Sequence, residues 1–144
     1  MGEGRFSVLP AAKLKKGASN VRYMMIVKHY GETKGFPPKE LMDAIAALAA
    51  EDAKAGTMVS SGGLLPTAQG ARVQLRNGKV TTIDGPFAEA KEVIGGFAIF
   101  ELKSLKQAVE GAERFMELHR KYWPGWEGET EVRPMLEPGQ IPGH

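Results

Sequence analysis

Two residues of this 144-residue chain are of types that move protons and stand where strands are expected to end. Asp84 opens the run "DGPFAEAKEVIGGFAIFE", and His29 closes "VRYMMIVKHY". A carboxylate acting as general base needs a raised pKa and a partner within reach. A neutral imidazole at a strand end can shuttle a proton near pH 7. Each also has a plain structural use. Gly85 precedes proline and is pushed towards extended backbone. Pro86 fits the first position of a short helical turn through Phe87, Ala88 and Glu89. Asp84 would then accept backbone N–H bonds as a turn or cap residue, and His29 would be an ordinary edge histidine. Arg72, at an expected strand start, is either solvated, paired with Asp84, or a holder of a ligand carboxylate. The pairs Ser61–Gly62 and Gly95–Gly96 let backbone approach a ligand closely, or else mark a bulge that bends a sheet.

Other chemistries find less support. The chain has no cysteine, so thiolate nucleophiles, disulfides and Cys–zinc sites are excluded. Its three histidines, His29, His119 and His144, are scattered and lack metal-ligand spacing. Neither glycine pair is followed by the Lys and Ser/Thr of a P-loop. No metal or other cofactor is indicated. A formal net charge of +2 gives no basic footprint for nucleic acid. No apolar run is long enough to span a bilayer, and the N-terminus lacks the apolar core of a signal peptide. The expectation is a soluble cytoplasmic protein.

The elements that must position these residues follow from hydrophobic period. With 42% hydrophobic residues, the chain is expected to form one core. Residues 1–20 read as an arm whose Phe6, Val8 and Leu9 are expected to lie on a neighbouring surface. The domain spans 21–136, and 137–144 is a Pro/Gly-rich tail. "VRYMMIVKHY" reads as a strand. After Pro37–Pro38, Leu41, Ala44, Ile45, Leu48 and Ala49 recur at helical spacing up to a C-terminal Gly56. "TMVSSGGLL" reads as a strand, and "ARVQLRNGKVTTI" as a hairpin turned at Asn77–Gly78. "VIGGFAIFEL" is a further strand. A second amphipathic helix starts at a Ser104 cap and carries His119 on its packing side. "ETEVRPM" is the last strand. Trp123 and Trp126 in "HRKYWPGW" are expected to pack under a loop, with a lid over a cofactor as the alternative. The order β-α-β-hairpin-β-α-β is that of a ferredoxin-like α+β sandwich. Two helices would cover one sheet face, and a homodimer packed sheet on sheet would cover the other.

The run beginning "DGPF" resembles the signature of the DGPF-type branch of the YCII-related proteins. "RYMMIVK", "SGGLLP", the hairpin and "EVRPM" agree with it, so the resemblance extends over Val21–Met135. It implies a dimeric α+β barrel. It also implies a cleft with a His–Asp pair proposed to be catalytic; His29 and Asp84 are the nearest counterparts, outside that pair's motif context. On this basis the chain is expected to bind or transform a small molecule near Asp84. The alternative, from family members found beside or fused to sigma factors, is a non-catalytic regulatory module.

Overall fold

The computed structural model describes residues 20–31, 36–87, 91–137 and 139–140. Strand β1 (Val21–Tyr30) leads to helix α1 (Lys39–Lys54) and strand β2 (Met58–Gly63). A short 3-10 turn (Thr67–Gln69) precedes the hairpin of β3 (Ala71–Arg76) and β4 (Lys79–Asp84). Strand β5 (Glu92–Leu102), helix α2 (Leu105–Tyr122) and strand β6 (Gly128–Pro134) complete the chain. The four long strands form one antiparallel sheet in the order β2-β5-β1-β6, and β3-β4 form a separate two-stranded ribbon. Two interleaved βαβ units produce that order, which is the ferredoxin-like α+β arrangement.

The elements form for local reasons that the sequence carries. Helix α1 begins after Pro38, whose carbonyl accepts from Met42 N–H, and ends before Gly56 at φ +80°. Leu41 is fully buried from its first turn. Helix α2 is capped by Ser104, whose hydroxyl accepts from Gln107 N–H at 3.1 Å. The hairpin turns at Asn77 and Gly78, both at positive φ, as a two-residue turn of matching twist requires.

Alternation along β1 sorts the side chains to two faces. Tyr23 and Met25 join Leu102, Ala108 and Ala112 in the buried cluster beneath α2, with Val21, Phe100 and Val132 against it. Met24, Ile26 and Lys28 point to the other face, beside Ile99, Phe97 and Ile94 of β5. Neither helix covers that second face. At its lower end Arg22 lies 3.5 Å from the Glu137 carboxylate, so the segment after β6 folds back there. The expected packing of Phe6, Val8 and Leu9 and the expected short turn at Ala88–Glu89 lie outside the described residues, as does His144.

His119 is more deeply placed than a half-buried packing residue. It is 6% exposed, and its Nδ1–H donates to the Phe115 carbonyl at 3.0 Å. Its ring lies between Phe115 and Trp126, with centroids 4.8 and 4.4 Å away. Burial pulls its pKa below the ordinary 6.5, the bond to Phe115 opposing this only in part. Above that value the imidazole is neutral whether the chain is folded or not, and no stability is lost. As pH falls through 6.5 towards the lower folded-state value, the unfolded chain takes up the proton first and stability declines. Thermal melts at pH 7.5 and 5.5 should show this loss, and His119→Asn should shrink the difference between the two.

Candidate functional site

The "DGPF" run is a clasp. Gly85 N–H donates to the Gly70 carbonyl at 2.9 Å, and Phe87 N–H donates to Thr67 Oγ1 at 3.3 Å. The Gly85–Pro86 peptide bond is cis. A Cβ on Gly85 would stand 1.7 Å from the Thr67 carbonyl oxygen and 2.7 Å from its carbon, so only glycine fits between hairpin and 3-10 turn. The Phe87 ring is buried, and the Arg72 guanidinium lies 4.0 Å from its centroid. The motif thus fixes the foot of the hairpin.

Asp84 itself is exposed at the end of β4, opposite Ala71. Among the described residues its carboxylate makes no hydrogen bond or ion pair. Arg72 pairs with Ile83, so alternation puts it on the face of the ribbon opposite to Asp84. His29 is in the other sheet, between Val93 and Gly128. Its Nδ1–H donates to the Gly31 carbonyl at 2.6 Å, and its ring covers Gly95, where a Cβ would be 3.3 Å from Cδ2. No described contact joins His29, Asp84 and Arg72. The glycine pairs serve strand contact: Gly95 is the extra residue where β1 changes register from Val27–Gly96 to Lys28–Ile94. A Cβ on Gly96 would stand 2.9 Å from the Gly62 carbonyl oxygen. Gly62 faces the Phe97 ring, and Ser61 pairs with Ala98.

The ionisable groups that do converge are on the helix-free face. The Lys28 ammonium is 2.7 Å from Glu131, 3.5 Å from Glu92 and 3.6 Å from Glu129, with 18% of its side chain exposed. Arg133 lies 3.6 Å from Glu131, and the Tyr30 hydroxyl donates to Glu129 at 3.2 Å. The hydrogen bond with Lys28 holds the Glu131 carboxyl below its usual range, and the same bond raises the Lys28 ammonium. Desolvation, followed by the neighbouring Glu129, raises the Tyr30 phenol. The group therefore presents two proton donors, Lys28 and Tyr30, among the carboxylates of Glu92, Glu129 and Glu131. A lysine held protonated is a poor nucleophile. The arrangement suits hydrogen bonding and proton exchange. Local spacing could not have revealed it, because its members come from three strands. The one available signal was alternating charge in "GETEVR", read there only as strand period. Among the described residues no group of three or more potential ligands is placed to hold a metal ion.

The model of the YCII-related domain matches residues 21–118, well over half the chain. The chain belongs to the YCII-related family. It is also similar to an uncharacterised protein of Rhizobium meliloti (strain 1021), 29% identical over 106 residues covering 72% of this chain and 82% of that one. The family match runs through the clasp and the helix-free sheet face alike, but ends within α2, before β6 and its two carboxylates. Among the described residues no helix is long and apolar enough to cross a membrane.

These contacts separate the motif's structural part from its exposed acid. Gly85→Ala should destabilise the YCII-related domain by about 1–3 kcal/mol or more, since backbone and not a flexible side chain blocks the new methyl. Asp84→Ala and Asp84→Asn should each fall within about 0.5 kcal/mol of wild type. Urea unfolding of the three variants checks both statements.

Proposed function

We propose that the protein is a homodimer that binds a small organic molecule against the helix-free face of its sheet, with Lys28, Tyr30, Glu129 and Glu131 holding or exchanging a proton with it. The observation that supports this is the joining, on one face, of an apolar strip with a polar cluster. Met24, Ile26 and Phe97 are half-buried, and Ile94 is 49% exposed directly beside Lys28. A single subunit leaves this strip without a helix over it, whereas a second sheet packed upon it would enclose a chamber. The cluster sets three carboxylates against two cations, Lys28 and Arg133, which favours a ligand carrying hydroxyl or amine hydrogens on an apolar body. Proton transfer is the most modest reaction these groups allow. The acid–base cleft is thus proposed around Lys28 in place of Asp84, which is exposed and has no partner among the described residues.

A second reading, a non-catalytic interaction module, is favoured by the β3–β4 ribbon. Val73, Leu75 and Val80 share one face of it and are 65–70% exposed. Loss of a partner from a Leu75→Lys variant that still bound ligand would separate that use from the first.

Light scattering at micromolar concentration should give twice the chain mass of 15.6 kDa. Ile26→Glu, at the centre of the strip, should give a folded monomer by circular dichroism, with Ile94→Lys as the gentler variant. A monomer mass for wild type would end the dimer proposal. In a thermal-shift screen of small polar metabolites, a ligand at about 100 times its Kd should add about 2.7 kcal/mol of stability. Lys28→Met should abolish that shift, and a shift unaffected by it would remove the cluster from the site.

A further inference from the structure

Behind the C-terminal end of α2 a groove of about 550 Å³ opens between the helix, the strap 123–127 and the ends of β1 and β6. Its walls are Tyr30, Met116, His119, Trp123 and Trp126, with Glu127 at the rim. Trp123 and Trp126 lie nearly parallel, 25° apart with centroids separated by 6.1 Å. Trp126 also packs against His119, with centroids 4.4 Å apart and the rings tilted by 39°. The floor is cut for that ring: a Cβ on Gly128 would stand 2.4 Å from it and 2.2 Å from the Lys28 carbonyl oxygen. A turn closed by Trp126 N–H to the Trp123 carbonyl at 3.0 Å, with Gly125 at φ +90°, holds both indoles in place.

The charges around these rings are mostly negative. Glu92, Glu127 and Glu129 all act on the Tyr30 phenol and push its pKa up, after desolvation. Among the described residues Glu127 has no ion-pair partner. The nearby cations are committed: Lys28 to its three carboxylates, and Arg120 to Glu117 at 2.5 Å. The free carbonyls at the end of α2 add partial negative charge. His119, with its proton on Nδ1, has only a lone pair at Nε2.

We propose that this groove binds an organic cation, a quaternary or alkylated ammonium, seated on the faces of Trp123, Trp126 and Tyr30 with Glu127 as its counter-ion. Aromatic faces attract such a cation through their quadrupole, and an alkylated ammonium keeps a low desolvation cost while filling an apolar groove. An anion would meet the Glu127 carboxylate and the carbonyl end of α2, and a neutral apolar molecule would gain nothing from them. The groove lies within one subunit and shares Tyr30 with the site proposed above, whereas Trp123, Trp126 and Glu127, on which its test rests, belong to it alone.

The two tryptophans of the chain are both in this groove, so intrinsic emission reports on it alone. Choline is the probe, and 3,3-dimethylbutan-1-ol is its uncharged isostere. Choline should change the emission saturably, and the isostere should bind roughly tenfold more weakly. Glu127→Gln, at an exposed position, should weaken choline several-fold and leave the isostere unchanged. Trp123→Leu should abolish the choline response of the remaining Trp126. Equal binding of choline and isostere, no saturable change into tens of millimolar, or a Glu127→Gln variant that binds choline like wild type would each overturn the proposal.

Discussion

Two helices can cover only one face of a four-stranded sheet, and this constraint organises the molecule. The strand order β2-β5-β1-β6 places β5 and β1 at the centre, and both are rich in apolar residues on both faces. The helix side is settled by Tyr23, Met25 and Leu102 against Ala108 and Ala112. Alanines at those helix positions let α2 approach closely, so the core on that side is thin and dominated by the sheet's own side chains. The other face inherits Met24, Ile26 and Phe97, half-buried with no helix over them, beside Ile99, which is 2% exposed. Its lower end is held by Arg22 against Glu137, and its upper end turns polar through Lys28 and its carboxylates. A face that is apolar in the middle and charged at one end is what a shared chamber requires, because apolar contact drives association and the charged end resists complete closure.

The bulge at Gly95 governs that charged end. Without the extra residue, β5 would stay in register beyond Val27 and its side chains would fall on the wrong faces. With it, Glu92 is brought opposite Tyr30 and onto the same face as Lys28, where β6 supplies Glu129 and Glu131. Glycine eases the fit there, since a Cβ would stand 3.3 Å from the His29 ring. His29 thus packs on the bulge that sets the surroundings of Lys28.

Much of the fold was legible because its signals are local. The limits of β1, the Ser104 cap, the Asn77–Gly78 turn and the period of both helices are each written within a few residues, and each appears where expected to within about two residues. The hairpin as a ribbon apart from the main sheet was less legible: the sequence predicts its two strands but not what they pair with, and Val73, Leu75 and Val80 stand exposed. The site was the least legible part. Lys28 and its carboxylates are separated by up to a hundred positions and acquire meaning only through strand register. Asp84 drew attention for its chemical type, whereas its neighbour Gly85, with no side chain at all, makes the decisive contact.

That contrast bears on how the "DGPF" run is to be understood. In a motif selected for proton transfer, the acid would be the residue whose surroundings are arranged: donors aimed at it, water removed, a partner positioned. In this structure the arrangement surrounds the other three positions. The Gly85 Cα lies against the Thr67 carbonyl, the Pro86 peptide bond is cis, and the Phe87 ring is clamped beneath Arg72 while its N–H is held by Thr67. The turn at Thr67 and the end of β4 are joined by backbone packed too closely to admit a Cβ at Gly85. Such a joint restricts the motif's composition as strictly as catalysis would. A short run of this kind can therefore be fixed by the demands of the fold alone, with no reaction behind it.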